Sequence, residues 1–222
     1  MIPESEINRE NTRYLITIKL YFHLVNIRDL KKVNKRMSLM KNIDKPIQSN
    51  DRSKNSNVVL EKYFIHSLQE MYYAEDQIAK EFHTIQSHIT SPNLKAILQN
   101  HFDIHLKHKE RLEKIFRLKD SAIEGRNCET FNALLAEGLS HLALFSNDIS
   151  NWEIALILVS QKLAHYKIAS YGGLAHLAIN LNYYKAATLL AFSAQEEEEY
   201  IANNLNVIID DFLSAHVEGY KN

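Results

Sequence analysis

Five acidic and imidazole groups stand where a packed helix would ordinarily carry leucine. Glu75 interrupts an apolar series, Phe64, Leu68, Met71, Ile78, Phe82 and Ile85, that advances by steps of four and three. His101, His105 and His108 interrupt a second series of the same steps, Leu94, Leu98, Leu112 and Ile115. His165 lies on one of two stripes that can be drawn along a third segment, through Ile154, Leu158, Gln161 and Ile168. The other stripe runs one position over, through Ile157, Ala164, Ile168 and Tyr171, and the sequence does not choose between them. In a fourth segment Glu197 or Glu198 falls among Leu190, Ala194, Ile201, Leu205, Ile208 and Phe212. The four acids Glu196 to Glu199 cannot all face solvent, because successive residues turn by about 100° around the helix. A buried carboxylate or imidazole must be paired, hydrogen-bonded or bound to a metal. A mixed set of this kind suits iron, manganese or zinc. The alternative is a hydrogen-bonded core histidine and a solvated acidic face.

The elements that would position these groups are helices. Only 5 Gly and 3 Pro occur in 222 residues, which excludes a turn-rich all-β fold. The first long helix is expected from Asn57, as its N-cap, to about Ile85. Ser91 and Pro92 supply an N-cap and first-turn proline for the second. A shorter helix is expected over 128–145. Ser150-Asn151-Trp152-Glu153 forms a capping box that opens the third long helix. Gly172-Gly173 permits a kink or a close crossing late in it. The fourth runs over about 183–213. Four long amphipathic helices on short connections predict an all-α antiparallel four-helix bundle, with the extra short helix between long helices 2 and 3. Mid-helix positions then lie at one height, where the seam residues meet.

Residues 41–57 are polar, aperiodic and hold Pro46, which predicts a linker and divides the chain into 1–56 and a bundle of 57–222. Residues 1–56 carry 12 Lys and Arg against 6 Asp and Glu, leaving 14 against 21 for the rest. A basic arm of this kind touches nucleic acid or an anionic surface weakly, folds back on the acidic body, or is solvated. The apolar run 14–27 is too short to span a bilayer and has no cleavage signal behind it. A start at Met37 or Met40 would remove the basic stretch, so the first 36 to 39 residues read as an extension of the gene model. The single Cys128 excludes an internal disulfide and a zinc knuckle, and a reduced, cytoplasmic protein is expected. Phosphate-cradling glycine loops, nucleophile elbows and a His-Glu-x-x-His signature are absent.

From Tyr63 to about Ile208 the chain resembles the YciE/YciF family of ferritin-like proteins. The resemblance is carried by Tyr73-Ala74-Glu75 with Gln77, by Ser91 to Lys95, by His101 and then Glu110 to Glu113, and by Cys128 with Leu135 to Gly138. Gln161-Lys162, His165-Tyr166, Ala169 to Gly172, Ala186-Ala187, Leu189-Leu190 and Glu196 to Glu198 complete it. It implies a ferritin-like bundle, a homodimer, a bacterial stress response and a di-iron carboxylate centre with ferroxidase-like or peroxide-reactive chemistry. The candidate ligands that carry over are Glu75, His101, His105, His165, Glu197 and Glu198, for iron or else manganese or zinc. Three expected carboxylate positions hold Ala164, Lys167 and Ile104 instead. The ammonium of Lys167 repels a dication and can itself pair with Glu75 or Glu197. The residues therefore support an altered metal site, or a metal-free ferritin-like dimer acting as a structural or interaction protein, with an arm that docks on nucleic acid or membrane as a third reading.

Overall fold

The computed structural model of the chain describes residues 51–219, and every regular element in them is helical. α1 spans Asp51–Ile85, α2 Pro92–Leu118, α3 Glu129–Leu144, α4 Ile149–Asn180 and α5 Tyr184–Tyr200. A π-helical turn, Ile201–Leu205, joins α5 to α6, Asn206–Gly219. None of these helices is long and apolar enough to cross a membrane. The expected basic arm and most of the expected linker lie outside the described residues.

α1 begins six residues before the expected start at Asn57, which lies inside the helix. Asp51 to Ser56 is polar but holds no Gly or Pro, so nothing in it stops a helix that extends into solvent. α2 is capped as its sequence predicts: Ser91 Oγ accepts from Leu94 N at 3.2 Å and Pro92 occupies the first helical position. The predicted capping box of α4 does not form. Asp148 is the N-cap, accepting from Asn151 N at 3.2 Å. Glu153 instead crosses to the start of α2, where its Oε1 accepts from Thr90 N (2.7 Å), Ser91 N (2.8 Å) and Thr90 Oγ1 (3.1 Å). A close crossing occurs at Gly138 rather than at Gly173. A Cβ on Gly138 would lie 2.6 Å from Val159 Cγ1, whereas one on Gly173 would meet nothing.

The early part of α1 meets the late parts of α2 and α4, so α1 runs antiparallel to both. Two apolar clusters result. One joins Phe64, Leu68 and Met71 to Ile115, Phe116, Leu174 and Leu190. The other joins Phe82 to Leu94, Leu98, Ile157, Leu205 and Ile208. Each side chain of this size that is fully buried contributes about 1.5–3 kcal/mol. Between the two clusters, at mid-height of α1, α2, α4 and α5, lies a polar layer.

Candidate metal centre

The layer is built from one short stretch of each of four helices. α1 supplies Glu75; α2 supplies His101, His105 and His108 on one face; α4 supplies Lys167 and Tyr171; α5 supplies Glu197. The α2 spacings of four and three place its three rings in a row. All seven residues are buried, with Glu75, Lys167 and Glu197 at 1%, 0% and 0% exposure.

Lys167 is the hub. Its Nζ lies 2.6 Å from Glu197 Oε1, 3.0 Å from Glu75 Oε1 and 2.6 Å from His105 Nδ1. An ammonium has three hydrogens, and here it has three acceptors. His101 Nε2 lies 2.9 Å from Glu197 Oε2, and Tyr171 Oη donates to Glu75 Oε1 at 2.5 Å. His105 Nδ1 also lies 2.8 Å from Glu75 Oε2. That nitrogen serves one partner at a time, and the shorter contact to the cation gives it the role of acceptor. His108 bridges the inner and outer acids, with Nδ1 3.3 Å from Glu75 Oε1 and Nε2 3.0 Å from Glu196 Oε2. Glu196 is clamped from outside by Arg111, whose Nη2 donates to Oε1 at 2.8 Å and whose Nη1 donates to Oε2 and to Ser193 Oγ.

The electrostatics follow the geometry. Burial pushes the Glu75 and Glu197 carboxyls up, but the Lys167 ammonium and the neighbouring rings, those of His105 and His108 for Glu75 and of His101 and His105 for Glu197, hold both well below the usual carboxylate range. Burial likewise opposes ionisation of Glu196, and Arg111 with His108 brings it down to about 2. His105 falls to about 3 through burial, the Lys167 charge and its neighbour His101. His101 is lowered by burial against the pull of Glu197. Burial and the Glu75 charge raise the Tyr171 phenol. Tyr200 stacks on the His101 ring at 3.6 Å between centroids, and its buried hydroxyl has no hydrogen-bond partner.

Of the six candidate ligands, Glu75, His101, His105 and Glu197 come together. His165 is exposed and belongs to neither cluster of donor atoms. The buried stripe of α4 is the alternative through Ile157, Ala164 and Tyr171. Glu198 is half-buried and also outside the layer, its carboxyl raised by burial and by Glu199. Sequence reasoning missed Arg111 and Glu196 as a closing pair; an Arg one turn beyond His108 was the signal available.

Two triads, Glu75/His105/His108 and His101/His105/Glu197, bring donor atoms close enough together to hold an ion. With Lys167 in place they do not fit one. The ammonium occupies the point on which Glu75, Glu197 and His105 converge, and a dication 4 Å from it would be repelled by about 8 kcal/mol at an effective dielectric constant of 20. A two-metal centre also needs carboxylates that the chain lacks at Ala164, Lys167 and Ile104.

Comparison with known proteins places this architecture. Residues 59–217 match the family described as a domain of unknown function, DUF892. The chain belongs to that family. It is 30% identical over 141 residues to protein YciF of Escherichia coli K12, covering 63% of this chain and 84% of that protein. The crystal structure of the E. coli stress protein YciF superposes with a TM-score of 0.62 at 27% identity, covering 70% of this chain and 97% of that one. YcfI of Rhodopseudomonas palustris superposes with a TM-score of 0.63 at 26% identity, covering 74% and 97%. The expected membership of the YciF family therefore holds.

Proposed function

We propose that this DUF892 chain is a ferritin-like antiparallel four-helix bundle in which a lysine ammonium has taken the place of the metal, and that it acts as a metal-free structural or interaction protein. The observation that carries this reading is the saturation of Lys167 Nζ by Glu75, Glu197 and His105 within 3.0 Å. One cation neutralises the two buried acids from inside, so the layer is complete without iron. The E. coli relative is described as a stress protein, and a role in the stress response is proposed for this chain by that likeness. A homodimer agrees with the apolar side chains that α1 leaves exposed, Val58, Val59, Leu60 and Tyr63, beside a groove of about 410 Å³ between α1 and α4.

A second reading, an iron-binding ferroxidase-like centre, has the two donor triads in its favour. It requires Lys167 to leave the layer. Elemental analysis separates the two, on untagged protein purified without chelators and exposed to Fe(II) under nitrogen. The wild type is expected to hold no stoichiometric iron, manganese or zinc, and Lys167→Glu is expected to gain metal by exchanging the cation for a ligand. One or two ions per wild-type chain, lost in Glu75→Ala, would overturn the metal-free reading. Light scattering on the same sample tests the dimer.

A further inference from the structure

A cavity of about 80 Å³ opens beside the polar layer, under α3. Its walls are apolar: Ile78 and Phe82 of α1, Leu98 of α2, Leu135 of α3, and Leu163 and Ala164 of α4. The fully buried Ala164 keeps one wall low, since a methyl group is all it projects. Burial orients the cavity. His101, His105 and Lys167 form the closed end, while Glu81, Ser160 and the exposed Leu139 form the rim.

The closed end is not chemically neutral. All three Lys167 hydrogens are committed within the layer, one of them to His105 Nδ1. The ring hydrogen of His105 therefore sits on Nε2, which has no partner among the described residues. His105 lines the cavity, so an unpaired N–H donor lies at the end of an apolar slot. Two carboxylates, Glu75 and Glu197, lie immediately behind it and disfavour an anionic guest. A cavity of about 150 Å³ admits benzene; this one is about half that and open at its rim, which suits a short chain rather than a ring.

We infer that this cavity binds a short, uncharged aliphatic carbonyl compound, its chain between Ala164 and Phe82 and its oxygen accepting from His105 Nε2. The site is separate from any metal chemistry and rests on the ammonium-filled layer only for the position of the His105 hydrogen.

Methyl-resolved NMR of the full chain, titrated with 2-hexanone, tests it. Saturable shifts confined to cavity-lining methyls, including Ala164 and Leu163, are expected. Hexanoate at pH 7 should bind at least about tenfold more weakly, the factor that one lost hydrogen bond to a buried donor represents. Ala164→Leu should abolish the shifts, and Ser160→Leu at the rim does the same test should the first variant not fold. Absence of saturable shifts in folded, metal-free wild type, equal binding of hexanoate, or unchanged binding in the filled variants would each overturn the proposal. Stoichiometric metal in the same sample would instead sink the metal-free reading, and saturable shifts from 2-hexanone would still support the cavity.

Discussion

Glu75 and Glu153 are both buried, at 1% and 5% exposure, and they are answered by different kinds of partner. Glu153, at one end of the bundle, accepts from two backbone N–H groups and a hydroxyl at the start of α2. Glu75, at mid-height, is answered by the Lys167 cation, two imidazoles and a phenol. Backbone donors are fixed by the fold, so Glu153 acts as a strap that holds the first turn of α4 to the start of α2. Side-chain charges depend on residue identity and protonation, so the Glu75 layer can be rewritten by a single substitution. The same bundle thus buries one acid for geometry and another as part of an exchangeable charge set.

The largest effect that sharpens this contrast is expected from Lys167→Ala. It leaves Glu75 and Glu197 buried without their cation and should lower unfolding free energy by about 3–5 kcal/mol. Chemical denaturation measures it, and an unchanged midpoint would dissolve the distinction between the two acids.

The next is pH. Glu75, Glu196 and Glu197 have depressed values in the fold, so unfolded carboxyls take up protons first, near 4.5, and the stability these groups supply is lost as pH falls. His101 and His105 are also depressed, so unfolded rings protonate first, near 6.5, and stability begins to fall there, continuing for His105 toward about 3. Each proton taken up only by the unfolded chain contributes a slope of about 1.4 kcal/mol per pH unit. Denaturation midpoints should therefore decline from pH 6.5 downward and more steeply below 4.5. A profile level between pH 7.5 and 5 would show that these rings are not buried as neutral groups.

Glu153→Ala should cost about 1–2 kcal/mol, through the lost cap and the released backbone donors. Its effect should be much less pH-dependent than that of Lys167→Ala, and a pH-dependence of equal size would break the comparison from the other side. The smallest effect is expected from Tyr200→Phe. Removing a buried hydroxyl that has no partner should leave stability unchanged or raise it by up to about 1 kcal/mol, readable as a melting temperature. A clear loss would reveal a partner for that oxygen.

Much of this was legible in the residues. The steps of four and three placed Glu75 and the three α2 histidines inward because α1 and α2 each have one apolar face. α4 gave no such guidance. It packs on several neighbours and is apolar nearly all round, so two stripes were equally drawable and the one holding His165 was the outward one. Lys167 was legible as a cation among acids, though its depth was set by that same undecided rotation. Glu153 looked like a local cap from its spacing, and only the approach of α2 offered it better donors. Arg111 and Glu196 were invisible as a pair because they are 85 positions apart and meet only after α2 and α5 pack.

The π turn at Ile201–Leu205 has a consequence for how this chain tolerates length changes. Inward residues on either side of it, Glu197, Ile201 and Leu205, follow at two successive steps of four. Removing one residue there would let the segment revert to an ordinary helix while turning everything after it by about 100°. Ile208 and Ile209, now buried, would swing away from the core, whereas Glu197 and the acids before it would stay where they are. The last helix is therefore geared to one supernumerary residue, and any alignment that runs α5 and α6 together as an unbroken repeat will place its two halves one position out of step.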